Sequence, residues 1–112
     1  MQEKVTVVHY EDNSNLREGI AFLLQSVPRL ELLASFSNCD SVKADMELLK
    51  PNVVLMDIDL PGINGIEAAG MVKSVSPGTQ VIMLTVFDNE EKIFQAIRNG
   101  ASGYLLKNSS PT

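Results

Sequence analysis

The sequence predicts an α/β domain built on a doubly wound, five-stranded parallel sheet. Apolar segments rich in β-branched residues alternate along the chain with segments whose apolar residues recur at helical spacing. The strand segments are apolar almost throughout, which is typical of strands that helices cover on both faces. Turn signals separate the segments at regular intervals, and parallel strands need helical crossovers of this kind. These observations together indicate the fold class.

Each element is predicted from its own segment. The five strands are VTVVHY (5–10), LELLASF (30–36), VVLMD (53–57), QVIMLT (80–85) and GYLLK (103–107). Four helices lie between them, each identified by an apolar stripe at helical spacing. In chain order the stripes are Leu16, Ile20, Leu23, Leu24 and Val27; Val42, Met46 and Leu49; Ile66, Ala69 and Val72; and Ile93, Phe94 and Ile97.

Capping residues predict where several helices begin or end. Asn15, with Glu18 three residues later, forms a capping-box-like start for the first helix. Asp40 or Ser41 can cap the second helix, because a short polar side chain accepts a hydrogen bond from the first helical turn. Gly100 stands where a glycine ends the fourth helix.

Length and composition restrict the class of protein. The chain has 112 residues, 45% of them hydrophobic, which fits one domain. A single cysteine, Cys39, cannot form an internal disulfide, so a reducing, cytoplasmic setting is expected. No apolar run is long enough for a membrane span, and the start lacks the layout of a signal peptide. The formal charge of −5 disfavours direct binding of nucleic acid.

Polar side chains follow four of the five predicted strands. Glu11 and Asp12 come after the first strand, Asp57 closes the third, Thr85 closes the fourth and Lys107 closes the fifth. Ligands of an open parallel sheet bind beyond the carboxyl ends of its strands, so we expect these side chains to lie at one edge. Three carboxylates packed together repel each other unless a cation or protons neutralise them. Hard oxygen ligands of this kind suit Mg²⁺.

The same residues suggest phosphoryl transfer. A carboxylate beside a bound metal can act as a nucleophile toward phosphorus, and Asp57 is the best placed of the three. The Lys107 ammonium and the Thr85 hydroxyl are suited to stabilise phosphoryl oxygens by charge and hydrogen bonding. The sequence therefore predicts one phosphoryl-transfer site that contains an acid pair, a lone aspartate, a hydroxyl and a lysine.

On these residues the chain resembles the receiver domain of bacterial two-component response regulators, over its whole length. The resemblance rests on the Glu11-Asp12 pair, the run DIDLPGING (57–65), Thr85 and the run ASGYLLK (101–107). The last two blocks are most similar to the subfamily whose receivers precede a helix-turn-helix DNA-binding domain. The resemblance implies a flavodoxin-like sheet with the strand order 2-1-3-4-5.

The resemblance also implies a role for each site residue. Asp57 would accept a phosphoryl group from a sensor histidine kinase. Asp12, Asp57 and the main-chain carbonyl of Asp59 would bind Mg²⁺, with Glu11 acting through water. Lys107 would contact the phosphoryl group. Thr85 and Tyr104 would form the switch pair, in which the hydroxyl moves toward the phosphate while the aromatic ring turns inward.

The implied protein is a signalling switch rather than an enzyme, with self-phosphorylation and autodephosphorylation at Asp57 as its only chemistry. Its output would be transcription regulation through a DNA-binding domain that this chain does not contain. Self-association is expected through the face of the fourth helix and fifth strand, or through the uncovered side of the first helix. No membrane partner is expected.

Other interpretations remain open at this point. The Asp57-x-Asp59 spacing at a strand end also suits a Mg²⁺-dependent phosphohydrolase of the haloacid dehalogenase type. A flavodoxin-like cofactor binder is disfavoured because two anions follow the first strand, where a phosphate cradle belongs. A receiver that serves only as an unphosphorylated interaction surface is disfavoured by the complete acceptor set. We interpret His9 as a buried core residue and leave it out of the site.

The end of the sequence suggests a boundary. Ser110-Pro111-Thr112 has the pattern of a helix start, with a Ser cap followed by Pro at the first helical position. The domain is therefore predicted to be a receiver over 1–112, truncated before a fifth helix. Loss of that helix would uncover an apolar strip on one sheet face, which favours lower stability or self-association.

Overall fold

Strands and helices alternate along the chain in the structure, a computed structural model that describes residues 4–85 and 90–106. The strands are β1 (Val5–Tyr10), β2 (Leu30–Phe36), β3 (Val53–Asp57), β4 (Gln80–Thr85) and β5 (Gly103–Leu106). The helices are α1 (Ser14–Gln25), α2 (Val42–Leu49), α3 (Gly65–Val75) and α4 (Glu90–Arg98). The predicted bounds of β1 to β4 are confirmed. β5 is described to Leu106, because Lys107 lies outside the described residues.

All neighbouring strands are parallel, and they form one sheet in the order β2-β1-β3-β4-β5. This confirms the predicted α/β fold and its strand order. The register pairs Tyr10 with Met56, Met56 with Met83, and Asp57 with Leu84. The carboxyl ends of β1, β3 and β4 therefore lie side by side at one edge of the sheet, which is where the predicted site belongs.

One face of the sheet carries the main core. Val8, Val54, Val81 and their neighbours two residues on point to this face, because alternate side chains of a strand share a face. Helices α2, α3 and α4 contribute the other half of the core. Its fully buried members include Tyr10, Val42, Met46, Met56, Ala68, Ala69, Val72, Met83 and Ala96.

The other face is covered differently. Val7 and His9, which point away from the main core, are buried, and α1 packs against β1 and β2. His9 is thus a core residue, as predicted. The predicted stripe of α1 is only half correct: no α1 residue is fully buried, and Leu23 is 63% exposed. Val27, predicted as the last member of the stripe, follows the helix and is also exposed.

The observed helix caps differ from the predicted cap of α1 and confirm the predicted cap position of α2 without its side-chain hydrogen bond. Asn13, not Asn15, is the N-cap of α1, and its side chain accepts a hydrogen bond from the Leu16 backbone N–H at 3.0 Å. Three consecutive capping-type residues occur here, and the first of them reaches the first-turn amide. Ser41 is the N-cap of α2, but its side chain makes no capping hydrogen bond. Gly100 follows α4 with φ +119, which confirms its predicted role as the terminating glycine.

The predicted inner stripe of α4 is wrong at two positions. Ile93 and Ala96 are buried, whereas Phe94 is 61% exposed and Ile97 is 46% exposed. Helix α4 packs on α3, and its buried residues are three positions apart. Phe94 and Ile97 each come one position after a buried residue and therefore point to solvent. The Arg98 guanidinium lies over the Phe94 ring, 5.8 Å from its centroid. None of the described helices is long and apolar enough to cross a bilayer.

Cys39 is a buried free thiol in the loop before α2. Its Sγ lies 3.3 Å from the Met56 Sδ, inside the main core. Burial, assisted by the nearby charges of Asp40 and Asp45, raises the pKa of the Cys39 thiol to about 12. The thiol therefore stays protonated in the folded chain at pH values where an exposed cysteine ionises.

This shift predicts a pH dependence of stability. Above about pH 9 the unfolded chain loses the Cys39 proton while the folded chain retains it, so the free energy of unfolding falls as pH rises. In chemical denaturation, the difference in unfolding free energy between wild type and Cys39→Ala should shrink by about 1 kcal/mol from about pH 8 to about pH 10. The cavity left by the substitution gives a constant offset over this range. A difference that does not change with pH would contradict the burial of the thiol.

Candidate functional site

Three carboxylates meet at the carboxyl edge of the sheet. Oxygen atoms of Glu11, Asp12 and Asp57 all lie within 4.8 Å of one another. Glu11 and Asp57 are buried, and Asp12 is exposed. The structure thus brings together the acid pair and the lone aspartate, although 45 positions separate Asp12 from Asp57 in the chain.

The segment between β1 and α1 holds the acid pair by its backbone. The Glu11 N–H donates to the Phe36 carbonyl at 2.9 Å, which extends the pairing of β1 with β2. The Asn13 N–H donates to the Glu11 carboxylate Oε2 at 3.1 Å, while the Asn13 side chain caps α1. One residue therefore both starts the helix and orients a site carboxylate.

Arg17 supports the same segment from α1. Its Nη1 donates to the Glu11 carbonyl at 2.8 Å and lies 3.4 Å from the Asp12 carbonyl. The guanidinium charge thus lies beside the backbone of the acid pair, and these hydrogen bonds go to main-chain carbonyls rather than to carboxylates. Sequence reasoning missed Arg17, and the available signal was an arginine in the first turn of the helix that follows the acid pair.

Tyr10, the last residue of β1, packs in the main core and contacts α2. Its ring is fully buried, stacks on Phe36 at 5.3 Å between centroids, and its hydroxyl donates to the Asp45 carboxylate at 2.8 Å. Burial, and then the hydrogen bond to the Asp45 carboxylate, raise the pKa of the Tyr10 phenol above its usual range. The contact ties α2 to the residue immediately before the acid pair.

The loop after β3 shapes the surroundings of Asp57. The Asp59 N–H approaches the Asp57 Oδ1 at 3.3 Å, and the Ile58 N–H donates to the Leu84 carbonyl at 3.2 Å. Ile58 and Leu60 are buried, so the loop is packed into the core rather than extended into solvent. Asp57 is accordingly held at a fixed position between β4 and its own loop.

Gly65 allows α3 to begin directly against β3. A Cβ built on Gly65 would lie 2.0 Å from the Asp57 carbonyl oxygen, which no side chain can occupy. The Gly65 N–H donates to the Ile58 carbonyl at 2.9 Å, and Asn64 caps the helix by accepting from the Glu67 N–H at 2.9 Å. The position of α3 relative to Asp57 therefore depends on a residue without a side chain.

Asp59 lies at the rim of the site and contacts α4. Its carboxylate Oδ1 is 3.1 Å from the Lys92 Nζ, and the two side chains are 50% and 48% exposed. Sequence reasoning assigned Asp59 a main-chain role and did not consider Lys92. A lysine among the first residues of a helix is the signal that was available.

The remaining predicted residues are placed only in part. The backbone of Thr85 closes β4, in register with Leu106 of β5, at the same edge as Asp57. Tyr104 lies on β5 and is 43% exposed. Lys107 lies outside the described residues, so its predicted contact stays a prediction.

The donor set fits a hard divalent cation. All three clustered side chains offer carboxylate oxygens, which are the ligands that Mg²⁺ prefers. Two of them are buried, and buried carboxylates at this separation repel each other unless a cation or protons compensate them. Glu11, Asp12 and Asp57 are therefore the described residues that could hold Mg²⁺.

A doubly wound parallel domain with an acidic cluster at the carboxyl ends of β1 and β3 defines a class of phosphate-handling or metal-binding α/β proteins. Comparison with known families narrows this class. The family model for the response regulator receiver domain matches residues 7–112. The chain belongs to the response regulator receiver domain family.

Named relatives agree with the family. The chain is 36% identical over 110 residues to the transcriptional regulatory protein YxjL of Bacillus subtilis, covering 98% of this chain and 50% of that protein. It is 31% identical over 110 residues to the nitrate/nitrite response regulator protein NarL of Escherichia coli, covering 98% and 51%. The chain thus spans about half the length of the curated relatives it matches.

Solved structures agree as well. A two-component response regulator of the LuxR family from Aurantimonas sp. superposes with a TM-score of 0.90 at 26% identity, covering 97% of this chain and 78% of that chain. A DNA-binding response regulator of the LuxR family from Staphylococcus aureus gives 0.86 at 28% identity, covering 95% and 88%. The chain is thus a receiver of the NarL/LuxR type, and the haloacid dehalogenase alternative is not supported.

The close approach at Gly65 predicts that alanine substitution has opposite effects on stability at Gly65 and at Gly19. Gly65→Ala should lower the free energy of unfolding by at least about 2 kcal/mol, because the methyl group must displace the Asp57 backbone. Gly19→Ala is the matched control: its Cβ meets nothing within 4 Å, and alanine within α1 should stabilise by about 0.5–1 kcal/mol. Urea denaturation measures both, and a Gly65→Ala chain as stable as wild type would refute the contact.

Proposed function

We propose that this chain is a phosphorylation-activated switch in which Asp57 is the phosphoacceptor. The observation that carries the proposal is the position of Asp57, buried at the end of β3, with oxygens within 4.8 Å of those of Glu11 and Asp12. The other two carboxylates lie at the start of the segment after β1, where they are suited to hold a cation rather than to attack. Membership of the receiver family supports this division of roles.

Asp12 and Asp57 would hold Mg²⁺ through their carboxylates, with Glu11 acting through water and Asp59 through its main-chain carbonyl. When bound, the ion supplies positive charge that neutralises the cluster and the transferred phosphoryl oxygens. Arg17 and Asn13 keep the acid pair oriented by their backbone and carboxylate contacts. The Lys107 ammonium is proposed to contact the phosphoryl group.

The transfer step is a displacement at phosphorus. A carboxylate oxygen of Asp57 forms a bond to phosphorus, and the bond between phosphorus and the donor histidine nitrogen breaks. That nitrogen keeps the bonding electron pair, so a phosphohistidine ring protonated on its other nitrogen leaves as neutral imidazole. The product is an acyl phosphate on Asp57, which water later hydrolyses to restore the carboxylate and release inorganic phosphate.

The donor is proposed to be a sensor histidine kinase, and the output a DNA-binding domain. Several relatives are named as transcriptional regulatory proteins, and this chain spans about half of their length. A reducing cytoplasm is the setting proposed for such a regulator. Thr85 and Tyr104 are proposed as the switch pair, because Thr85 ends β4 at the phosphoacceptor edge and Tyr104 lies on the neighbouring strand β5.

Phosphorylation is tested by intact mass after incubation with acetyl phosphate and Mg²⁺. Wild type should gain the mass of one phosphoryl group in an adduct that hydroxylamine removes, because an acyl phosphate reacts with this nucleophile. Asp57→Asn should gain none. Asp40→Asn, an exposed carboxylate in the loop before α2, is the matched control and should be modified like wild type. A wild-type chain without adduct would refute Asp57 as the acceptor.

Metal binding predicts a second result that requires no donor. Mg²⁺ should raise the melting temperature of wild type, because a ligand that binds only the folded chain stabilises it. Asp57→Asn should lower the Mg²⁺ affinity at least about tenfold and should itself be more stable than wild type without metal, because one of three repelling charges is removed.

The control for metal binding is a carboxylate at the other end of the sheet. Glu31 is exposed and pairs with Thr6 near the start of β1, so Glu31→Gln should bind Mg²⁺ like wild type. Titration calorimetry and thermal melting measure the affinity and the stabilisation. Equal Mg²⁺ responses of wild type and Asp57→Asn would exclude Asp57 as a ligand.

A further inference from the structure

The ion pair between Asp59 and Lys92 joins two separate parts of the chain at the rim of the site. Lys92 lies on α4, 33 positions after Asp59, and its Nζ is 3.1 Å from the Asp59 Oδ1. The Asp59 N–H in turn approaches the Asp57 Oδ1 at 3.3 Å. Asp59 therefore contacts both the Lys92 ammonium on α4 and the proposed phosphoacceptor, Asp57.

Among the residues that the structure describes, carboxylates outnumber side-chain cations at this edge. Glu11, Asp12 and Asp57 cluster there, and Asp59 adds a fourth carboxylate two residues after the acceptor. Arg17 donates to backbone carbonyls of the acid pair. Lys92, by contrast, forms an ion pair with a carboxylate of this edge, that of Asp59.

The position of Lys92 in α4 is unfavourable for a cation. Lys92 is the third residue of α4, where the positive end of the helix dipole disfavours a cation. A lysine at this place opposes the local preference of the helix, and such local conflicts concentrate at functional sites. Its contact with Asp59 provides an electrostatic reason for it.

We propose that Lys92 is a positioning residue of the phosphorylation site, which neutralises Asp59 so that an anionic phosphodonor can approach Asp57. The donor and the fourth carboxylate carry charges of the same sign, so an uncompensated Asp59 would repel the donor in the ground state and in the transition state. The inference rests on the proposed function of Asp57. It adds a determinant of donor preference that lies outside the metal and phosphoryl ligands.

The test compares initial rates of adduct formation by intact mass, in the whole chain, with acetyl phosphate as the donor. Lys92→Gln should be slower than wild type by roughly two- to fivefold, the size expected for one half-exposed charge near an anion. Lys92→Arg keeps the charge and should react like wild type. In a double-mutant cycle, Lys92→Gln should have no further effect on the rate in the Asp59→Asn background, because the carboxylate that Lys92 neutralises is already absent there.

Two further comparisons separate charge from structure. The defect of Lys92→Gln should shrink in high salt, which screens exposed charges. It should also be smaller with phosphoramidate, which carries less negative charge than acetyl phosphate. A purely structural role of Lys92 would change neither the salt dependence nor the order of the two donors.

The outcomes are distinguishable from those of the proposed function. If wild type forms no adduct, the proposed function fails and this inference falls with it. If wild type is modified and Lys92→Gln is modified at the same rate, this inference alone is overturned. A defect of Lys92→Gln that is just as large in the Asp59→Asn background also overturns it, because neutralisation of Asp59 would then not be its cause.

Discussion

Repulsion among the clustered carboxylates is the constraint around which this domain is organised. Unit charges about 4 Å apart repel by about 1 kcal/mol in water and by about 4 kcal/mol at the effective dielectric of a protein surface. Oxygens of Glu11, Asp12 and Asp57 lie within 4.8 Å of one another, and two of these residues are buried. The rest of the fold must therefore supply the stability that this edge lacks, and the apolar main core on the α2–α4 face does so.

The site is held together mainly by backbone contacts. Asn13 caps α1 and also donates to Glu11, while Gly65 begins α3 in contact with the Asp57 backbone. Arg17 donates to main-chain carbonyls of the acid pair. Because the same residues define helix starts and carboxylate positions, distortion of either helix would displace the cluster.

Sequence reasoning predicts the parts of this structure that depend on local pattern. The strands follow from continuous apolar runs, and Asp57 follows from its place at the end of one of them. The pattern misplaced the first cap, because Asn13, Ser14 and Asn15 are all suitable and only geometry selects Asn13. It also placed Phe94 inside, because an apolar residue next to Ile93 fits a stripe until the packing partner, α3, fixes which ridge is buried.

Residues that act through long-range contacts could not be predicted in this way. Lys92 and Asp59 are 33 positions apart. The place of Lys92 near a helix start marks it as unusual, but neither local sequence identifies its partner. Tyr10 and Asp45 are 35 positions apart, and their hydrogen bond depends on how α2 crosses β1. The clustered carboxylates were predictable because a parallel sheet brings all strand ends to one edge, a property of the fold class rather than of any one contact.

The proposed function places two opposite electrostatic requirements on this acidic edge. Enough negative charge is needed to attract a divalent cation, yet each added carboxylate also repels the phosphoryl group. The chain carries a formal charge of −5, so its long-range field favours the cation and opposes the donor. Local cations can satisfy both requirements, because a charge paired at the rim, such as Lys92 with Asp59, changes the field near Asp57 without occupying the oxygens that a metal would use.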